Sequence, residues 1–185
     1  MTNHKKTTHL ILGGARSGKS SFAEKRVIEQ ANTSKRKLHY IATAISFDPE
    51  MEARIKHHQQ RRDEQWNEHE APLELAKMLR DLNESDVALV DCLTLWLNNV
   101  IYELGEQATN EQVELWIQEL VEAVEASPAN ITMVSNEVGL GVVPMGQVSR
   151  LFVDNAGRMN QALAKVANQV TFIAAGLPMV LKNEG

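Results

Sequence analysis

Cysteine is almost absent. Cys92 stands alone among 185 residues, so no disulfide can form within the chain, a pattern that suits a reducing compartment and makes a cytoplasmic setting the expectation. Long apolar runs are missing too. The opening "MTNHKKTTHLILGG" places basic residues ahead of a hydrophobic stretch too short for a signal peptide or a membrane span. No Gly/Ser linker, internal repeat or low-complexity tract divides the chain, which implies a single domain over residues 1–185. The positive charge that a nucleic-acid binder needs is also lacking. A net charge of -5 repels polyanions at long range, although it leaves room for a local basic pocket.

What the chain does have is enough apolar material for a core, at 43% hydrophobic and 23% charged residues. Short apolar runs at 9–13, 38–42, 87–91, 131–135, 170–176 and 179–182 read as strands. Between them lie segments with helical periodicity, including "SFAEKRVIEQA", "FDPEMEARIKHHQQRR", "APLELAKMLRDL", "TLWLNNVIYEL" and "NEQVELWIQELVEAVEA". In the second of these, Asp48 can cap, Pro49 fits the first helical position and Glu50 suits the first turn. "GLGVVPMG" reads as a loop. "QVSRLFVDNAGRMNQALAKVA" reads as a long helix with a bend expected near Gly157, and the last two strands are expected to meet at a tight Gly-Leu-Pro turn. Alternating strands and helices predict an α/β fold, with a mostly parallel central sheet flanked by helices and a short C-terminal hairpin.

"GGARSGKS", residues 13–20, matches the phosphate-binding pattern G-x-x-x-x-G-K-S between an apolar strand and a helix, which is the context that the pattern requires. Gly13 and Gly18 allow backbone geometries that a Cβ would obstruct. The amides of Gly14, Ala15, Arg16 and Ser17 can then surround a phosphate chain at a helix N-terminus. Lys19 is expected to reach the β and γ phosphates and Ser20 to contact Mg²⁺ through its hydroxyl. Arg16 faces either phosphate or solvent. Asp91, closing the third strand, is placed to hold Mg²⁺ or its water shell, or to cap the following helix. Glu137 is a second acid just after the fourth strand. These parts make a P-loop NTPase, with kinase, nucleotidyltransferase, motor and switch chemistries all open. The guanine-reading tetrapeptide N-K-x-D of a GTPase switch is absent.

"RIKHHQQRR", residues 54–62, narrows the choice. Each helical residue advances about 100°, which puts His58 on the side of Met51 and Ile55, the packed side. His57 projects elsewhere, flanked by Arg54 at i−3 and Arg61 at i+4. Guanidinium forks match phosphate oxygens, and nearby positive charge favours neutral imidazole, the nucleophilic form. A histidine so placed can attack an α-phosphate and carry a nucleotidyl group as a phosphoramidate. A solvated surface histidine is the plainer reading. Zinc is disfavoured, because adjacent histidines lack the H-E-x-x-H spacing.

Taken together, "LILGGARSGKS", "YIATA", "DPEMEARIKHH", "LVDCLTLWLNN", "SNEVGLGVVP" and "LFVDNAGRMNQALA" resemble the bifunctional adenosylcobinamide kinase / adenosylcobinamide-phosphate guanylyltransferase family of cobalamin biosynthesis, over almost the whole chain. The resemblance implies phosphorylation of adenosylcobinamide, a corrinoid, by ATP or GTP. GMP then passes from GTP to that phosphate, giving adenosylcobinamide-GDP and pyrophosphate. It maps the guanylylated histidine onto His57. Ala42, Thr43 and Ala44 resemble the segment near the guanine nucleotide, and His58, Gln59, Gln60, Arg61, Glu70 and Asp91 resemble further GTP contacts. It also implies a RecA-like fold and a homotrimer. Departures are a basic "NTSKRK" before the second strand and "WNEHEAP" around Trp66, the latter bearing on the guanine pocket. The segment Asp154 to Gln161 matches a family signature without an evident role. The competing readings are a small-molecule kinase of another pathway with His57 on the surface, and a binding module without turnover.

Overall fold

The computed structural model describes residues 6–45 and 65–184. The helix expected over 47–62 lies outside the described residues, and with it Arg54, His57, His58, Gln59, Gln60 and Arg61. Within them the chain runs β1 (Thr8–Gly13), α1 (Lys19–Ser34), β2 (Lys37–Ala42), β3 (Trp66–Glu70), α2 (Leu75–Arg80), β4 (Asp86–Asp91), α3 (Leu93–Leu104), α4 (Asn110–Ala126), β5 (Asn130–Asn136), α5 (Gln147–Val166), β6 (Gln169–Ala174) and β7 (Leu177–Asn183).

One seven-stranded sheet has the order β3-β2-β4-β5-β1-β6-β7. Every neighbouring pair is parallel except β6 and β7. β1 lies between β5 and β6 with all six residues buried, which is why it reads as an unbroken apolar run rather than an alternation. Successive side chains nevertheless point to opposite faces. Ile11, Leu38, Tyr40, Leu89 and Val134 pack with Ala23, Val27 and Ala31 of α1 on one side. Leu10, Leu12, Ile41, Val90, Ile131 and Met133 pack on the other beneath the apolar stripes of α2, α3, α4 and α5. Among the described helices, α1 supplies the fully enclosed residues of the first cluster, and Leu95 of α3 packs against its margin.

α4 begins with a capping box. Thr109 Oγ1 accepts from the Gln112 amide at 3.3 Å while Gln112 Oε1 accepts from the Thr109 amide at 3.0 Å.

One strand carried no signal in the sequence, and one expectation needs correction. β3, "WNEHE", carries no apolar periodicity, yet it pairs in parallel with β2 from Leu38↔Trp66 to Ala42↔Glu70. As an edge strand it needs little burial, and its charged side chains discourage pairing with another chain. The hairpin turns at Ala175 and Gly176, both at positive φ (51° and 79°), rather than at Gly-Leu-Pro. Two central residues with positive φ match the strand twist of a tight hairpin, and Pro178 is tolerated near the start of an edge strand. α5 runs through Gly157 as one helix.

Two outcomes test this packing. Leu89 is fully buried and Leu115 is 67% exposed. Leu89→Ala is expected to cost about 2–5 kcal/mol in urea denaturation, and Leu115→Ala less than about 0.5 kcal/mol. The second concerns His9 of β1, whose Nε2 lies 2.8 Å from Thr171 Oγ1. Burial, with the Arg26 guanidinium acting in the same direction, pushes its pKa down from 6.5 to about 4. Between those values the unfolded chain binds a proton that the folded chain refuses. Stability is therefore full above about pH 6.5 and falls as pH drops toward 4. A His9→Asn variant should lose less stability than the parent between pH 6.5 and pH 4.5.

Candidate nucleotide site

The C-terminal ends of β1, β2, β4 and β5 meet at one edge of the sheet, where ligands collect in open α/β folds. β1 stops at Gly13 because nothing larger fits. A Cβ there would lie 2.4 Å from the Ile173 carbonyl oxygen and 2.8 Å from Ser17 Oγ. The loop then turns on itself, with the Ser17 amide donating to the Gly14 carbonyl at 3.3 Å. Gly18 takes φ 98°, a left-handed conformation that β-carbons disfavour, and the Phe22 amide donates to its carbonyl at 3.0 Å as α1 begins. From outside, the Gly176 amide of the β6–β7 turn donates to the Ser17 carbonyl at 2.9 Å. The result is a cavity of about 240 Å³ lined by Arg16 through Ser21.

Lys19 is buried, and its ammonium donates to the Gly14 carbonyl at 2.6 Å. Burial lowers its pKa from the usual lysine value, with Cys92 and Asp91 pulling the other way. Ser17 Oγ is buried with no hydrogen-bond partner. A concavity at the start of α1, a desolvated ammonium and an unsatisfied hydroxyl fit an incoming phosphate chain. Among the described residues no group of three or more His, Cys, Asp or Glu side chains could hold a metal. Mg²⁺ needs no such cluster, since phosphate oxygens and waters hold it with one or two protein groups. Ser20 at the start of α1 and Asp91 are the residues that would supply them.

Asp91 ends β4 half-buried, its Oδ2 accepting the Tyr40 phenol at 3.0 Å. Beside it, a fully buried Thr43 joins β2 to β4. Its amide donates to the Asp91 carbonyl at 3.2 Å, its hydroxyl donates to the Cys92 carbonyl at 2.7 Å, and the Cys92 amide donates back to that hydroxyl at 2.9 Å. The Thr43 side chain is thus committed to the scaffold, while Ala42 and Ala44 flank it half-buried. Burial pushes the Cys92 thiol up, Asp91 adding to the effect. Glu70 ends the edge strand, exposed, in register with Ala42. The Glu137 amide donates to the Gly13 carbonyl at 3.0 Å, and its Oε1 accepts from the Gly139 amide at 3.1 Å.

The structure thus brings together the phosphate loop, Asp91 and Glu137, while Arg54 and His57 to Arg61 lie outside the described residues. It also shows supports that sequence reasoning missed. Asn99 of α3 donates to the carbonyls of Thr43 at 2.8 Å and Pro72 at 3.0 Å. Asn136 Nδ2 donates to Thr94 Oγ1 at 3.2 Å. Ser135 donates to Asn160 Oδ1 at 2.7 Å, and Asn160 Nδ2 donates to the Asn136 carbonyl at 3.4 Å. An asparagine inside the apolar run "TLWLNNV" was the available signal. Part of the signature Asp154 to Gln161 now has a structural account. Asn155 and Arg158 bond Asn110 at the start of α4 at 2.9 and 2.7 Å, and Asn160 anchors the end of β5.

A mostly parallel sheet between helices, a phosphate loop joining β1 to α1 and an antiparallel hairpin at the edge define a P-loop NTPase of the RecA-like type. The shape matches a solved ATPase domain, with TM-score 0.55 and 10% identity over 97% of this chain and 78% of that one. It also matches a KaiC-like protein of the hyperthermophilic archaeon Pyrococcus horikoshii OT3, with TM-score 0.50 and 12% identity over 90% and 70%. At such identities these likenesses speak to fold alone. The model of the family described as cobinamide kinase / cobinamide phosphate guanyltransferase matches residues 9–181, and the chain belongs to that family. The bifunctional adenosylcobalamin biosynthesis protein CobP of Pseudomonas aeruginosa is 48% identical, over 95% of this chain and 97% of its own length. CobU of Escherichia coli K12, a protein of the same description, is 37% identical over 94% and 98%.

The Thr43 link is open to test. Thr43→Val keeps the volume but leaves the Cys92 amide and carbonyl without their partner. It is expected to cost about 1–3 kcal/mol in urea denaturation, with faster hydrogen exchange at the Cys92 amide.

Proposed function

We propose that this chain performs two successive transfers on one corrinoid. It first phosphorylates the hydroxyl of adenosylcobinamide from ATP or GTP, then passes GMP from GTP to the new phosphate with release of pyrophosphate. The observation that carries the reading is the complete phosphate cup of Gly13–Ser20, in a chain aligned over nearly its whole length with relatives described as bifunctional adenosylcobalamin biosynthesis proteins.

In the first transfer the loop amides and Lys19 hold the β and γ phosphates and offset the charge that spreads over the departing phosphoryl group. Ser20 and Asp91 are the residues that would hold Mg²⁺ with the phosphates, and the ion would supply further neutralisation. Tyr40 fixes the Asp91 carboxylate by its hydrogen bond, so no reorientation is needed when nucleotide arrives.

For the second transfer we assign the nucleophile to His57. A ring nitrogen attacks the α-phosphorus of GTP, the bond to the bridging oxygen breaks and pyrophosphate leaves. The phosphate of the acceptor then displaces the histidine and takes the GMP. Arg54 and Arg61 neutralise the α-phosphate oxygens, and Ala42, Thr43, Ala44, His58, Gln59, Gln60 and Glu70 complete the nucleotide contacts. These roles rest on the helix-face argument and the family resemblance. They are supported by the path of the chain, which leaves β2 through Thr43–Ile45 at the edge bearing the phosphate cup. A cytoplasmic homotrimer is the setting that the same resemblance implies. The exposed apolar side chains Val142, Val143 and Met145 offer a surface on which subunits can meet. Among the described residues no helix is long and apolar enough to cross a membrane.

Incubation with α-labelled GTP should give a protein adduct that is acid-labile and base-stable. His57→Ala is expected to abolish it while nucleotide binding persists, and retained stoichiometric labelling would overturn the assignment. Lys19→Ala should lower the kinase rate by roughly a hundredfold or more, since it removes a fixed charge aimed at the transferring group.

A further inference from the structure

Gly157 sits in the interior of the 20-residue helix α5, where glycine is about 1 kcal/mol less favourable than alanine. Nothing in the fold of the described residues requires it. A Cβ built there meets no atom within 4 Å, and α5 is a single helix through the position. The open space beside it is a groove of about 490 Å³ on the α5 face of the sheet. Leu12, Leu140 and Leu181 make its walls largely apolar, and Glu137, Gln161 and Lys182 supply polar groups. The groove adjoins the phosphate cup, because Glu137 at its head donates its backbone N–H to the carbonyl of Gly13, the first residue of the loop.

These features go beyond nucleotide binding. A small-molecule site is an apolar concavity with a few placed polar groups. Here one such concavity follows a helix kept bare by glycine, with Glu137 at the end tied to the phosphate loop. Part of the signature Asp154 to Gln161 thereby gains a purpose: Asn160 pins α5 to the end of β5, Gly157 leaves room, and Gln161 stands at the rim.

We infer that this groove seats the phosphoryl acceptor, a bulky molecule with an apolar skeleton, an amide-bearing rim and a hydroxyl-ended arm, and that Glu137 is the general base for that hydroxyl. The inference rests on the activity proposed above and names the acceptor's place within it. The acceptor oxygen forms a bond to the γ-phosphorus, the bond from γ-phosphorus to the β–γ bridging oxygen breaks, and its electron pair leaves with the nucleoside diphosphate. The hydroxyl proton passes to the Glu137 carboxylate. Each acid gives one carboxylate oxygen to a donor, Asp91 to the Tyr40 phenol and Glu137 to the Gly139 amide, but Asp91 is the acid assigned to Mg²⁺ above and Glu137 alone lines the groove.

The test uses the full chain with adenosylcobinamide as acceptor, read by kinase turnover and by equilibrium dialysis at the corrin absorbance. Gly157→Leu places a side chain in the groove and improves helix propensity, so the fold should hold. It is expected to raise the acceptor KM and dialysis Kd at least tenfold with nucleotide affinity unchanged, and Gly157→Ala should fall between. Glu137→Gln should lower the kinase kcat by roughly 10²–10⁴-fold, the scale of general-base catalysis, with little change in nucleotide KM. Glu137→Asp should recover part of the rate.

An unchanged acceptor KM and Kd in Gly157→Leu would overturn the groove, and a shift in sedimentation without such a change would make it a subunit contact instead. An unchanged kcat in Glu137→Gln would overturn the base. A parent chain that binds the corrinoid but never phosphorylates it would overturn the proposed activity, and the groove would still stand or fall by dialysis against Gly157→Leu.

Discussion

The contact between the end of β1 and the β6–β7 hairpin holds the phosphate loop in shape. Gly13 lies so close to the Ile173 carbonyl that no side chain can enter, and the Gly176 amide grips the Ser17 carbonyl from the far side of the loop. The cup is therefore braced by two strands that neighbour each other in space and stand about 160 residues apart in the chain. Its amides are oriented before any ligand arrives, so little reorganisation is left for the chemical step.

The same edge of the sheet is stiffened by a buried polar lattice. Thr43, Cys92, Asn99, Thr94, Asn136, Ser135 and Asn160 are linked through hydrogen bonds across β2, β4, β5, α3 and α5. Such a network is costly if half satisfied and rigid when complete. Its members lie at or just beyond the C-terminal strand ends and on the helices behind them. The lattice holds the acids Asp91 and Glu137 at fixed positions at the ends of β4 and β5, both on the same side of β1, without using their carboxylates. An enzyme that handles two different phosphorus centres needs such a frame, since both transfers depend on where oxygen atoms sit.

Much of this was legible in the amino-acid order. Buried parallel strands announce themselves as short apolar runs, and the phosphate loop carries its geometry in two glycines, a lysine and a serine. β3 was not legible, because an edge strand needs neither apolar alternation nor burial, and "WNEHE" offers neither. The hairpin turn was misplaced because Gly-Leu-Pro looks like a turn, whereas Ala175 adopts a conformation that alanine seldom takes. Within the site, Lys19, Ser20 and Asp91 follow from motif and strand end. Asn99 and Asn160 work through backbone carbonyls distant in sequence, and no local pattern records such a partnership.

α1 has two duties that meet in one rod. Its first turn forms a wall of the phosphate cup, and its buried stripe of Ala23, Val27 and Ala31 is the main helical contribution to the core cluster on that side of the sheet. A triphosphate bound there would anchor the end of the element that keeps water from Ile11, Leu89 and Val134. A ligand that fills the cup would therefore also fasten that half of the interior, acting as a clasp for the fold as well as a reactant.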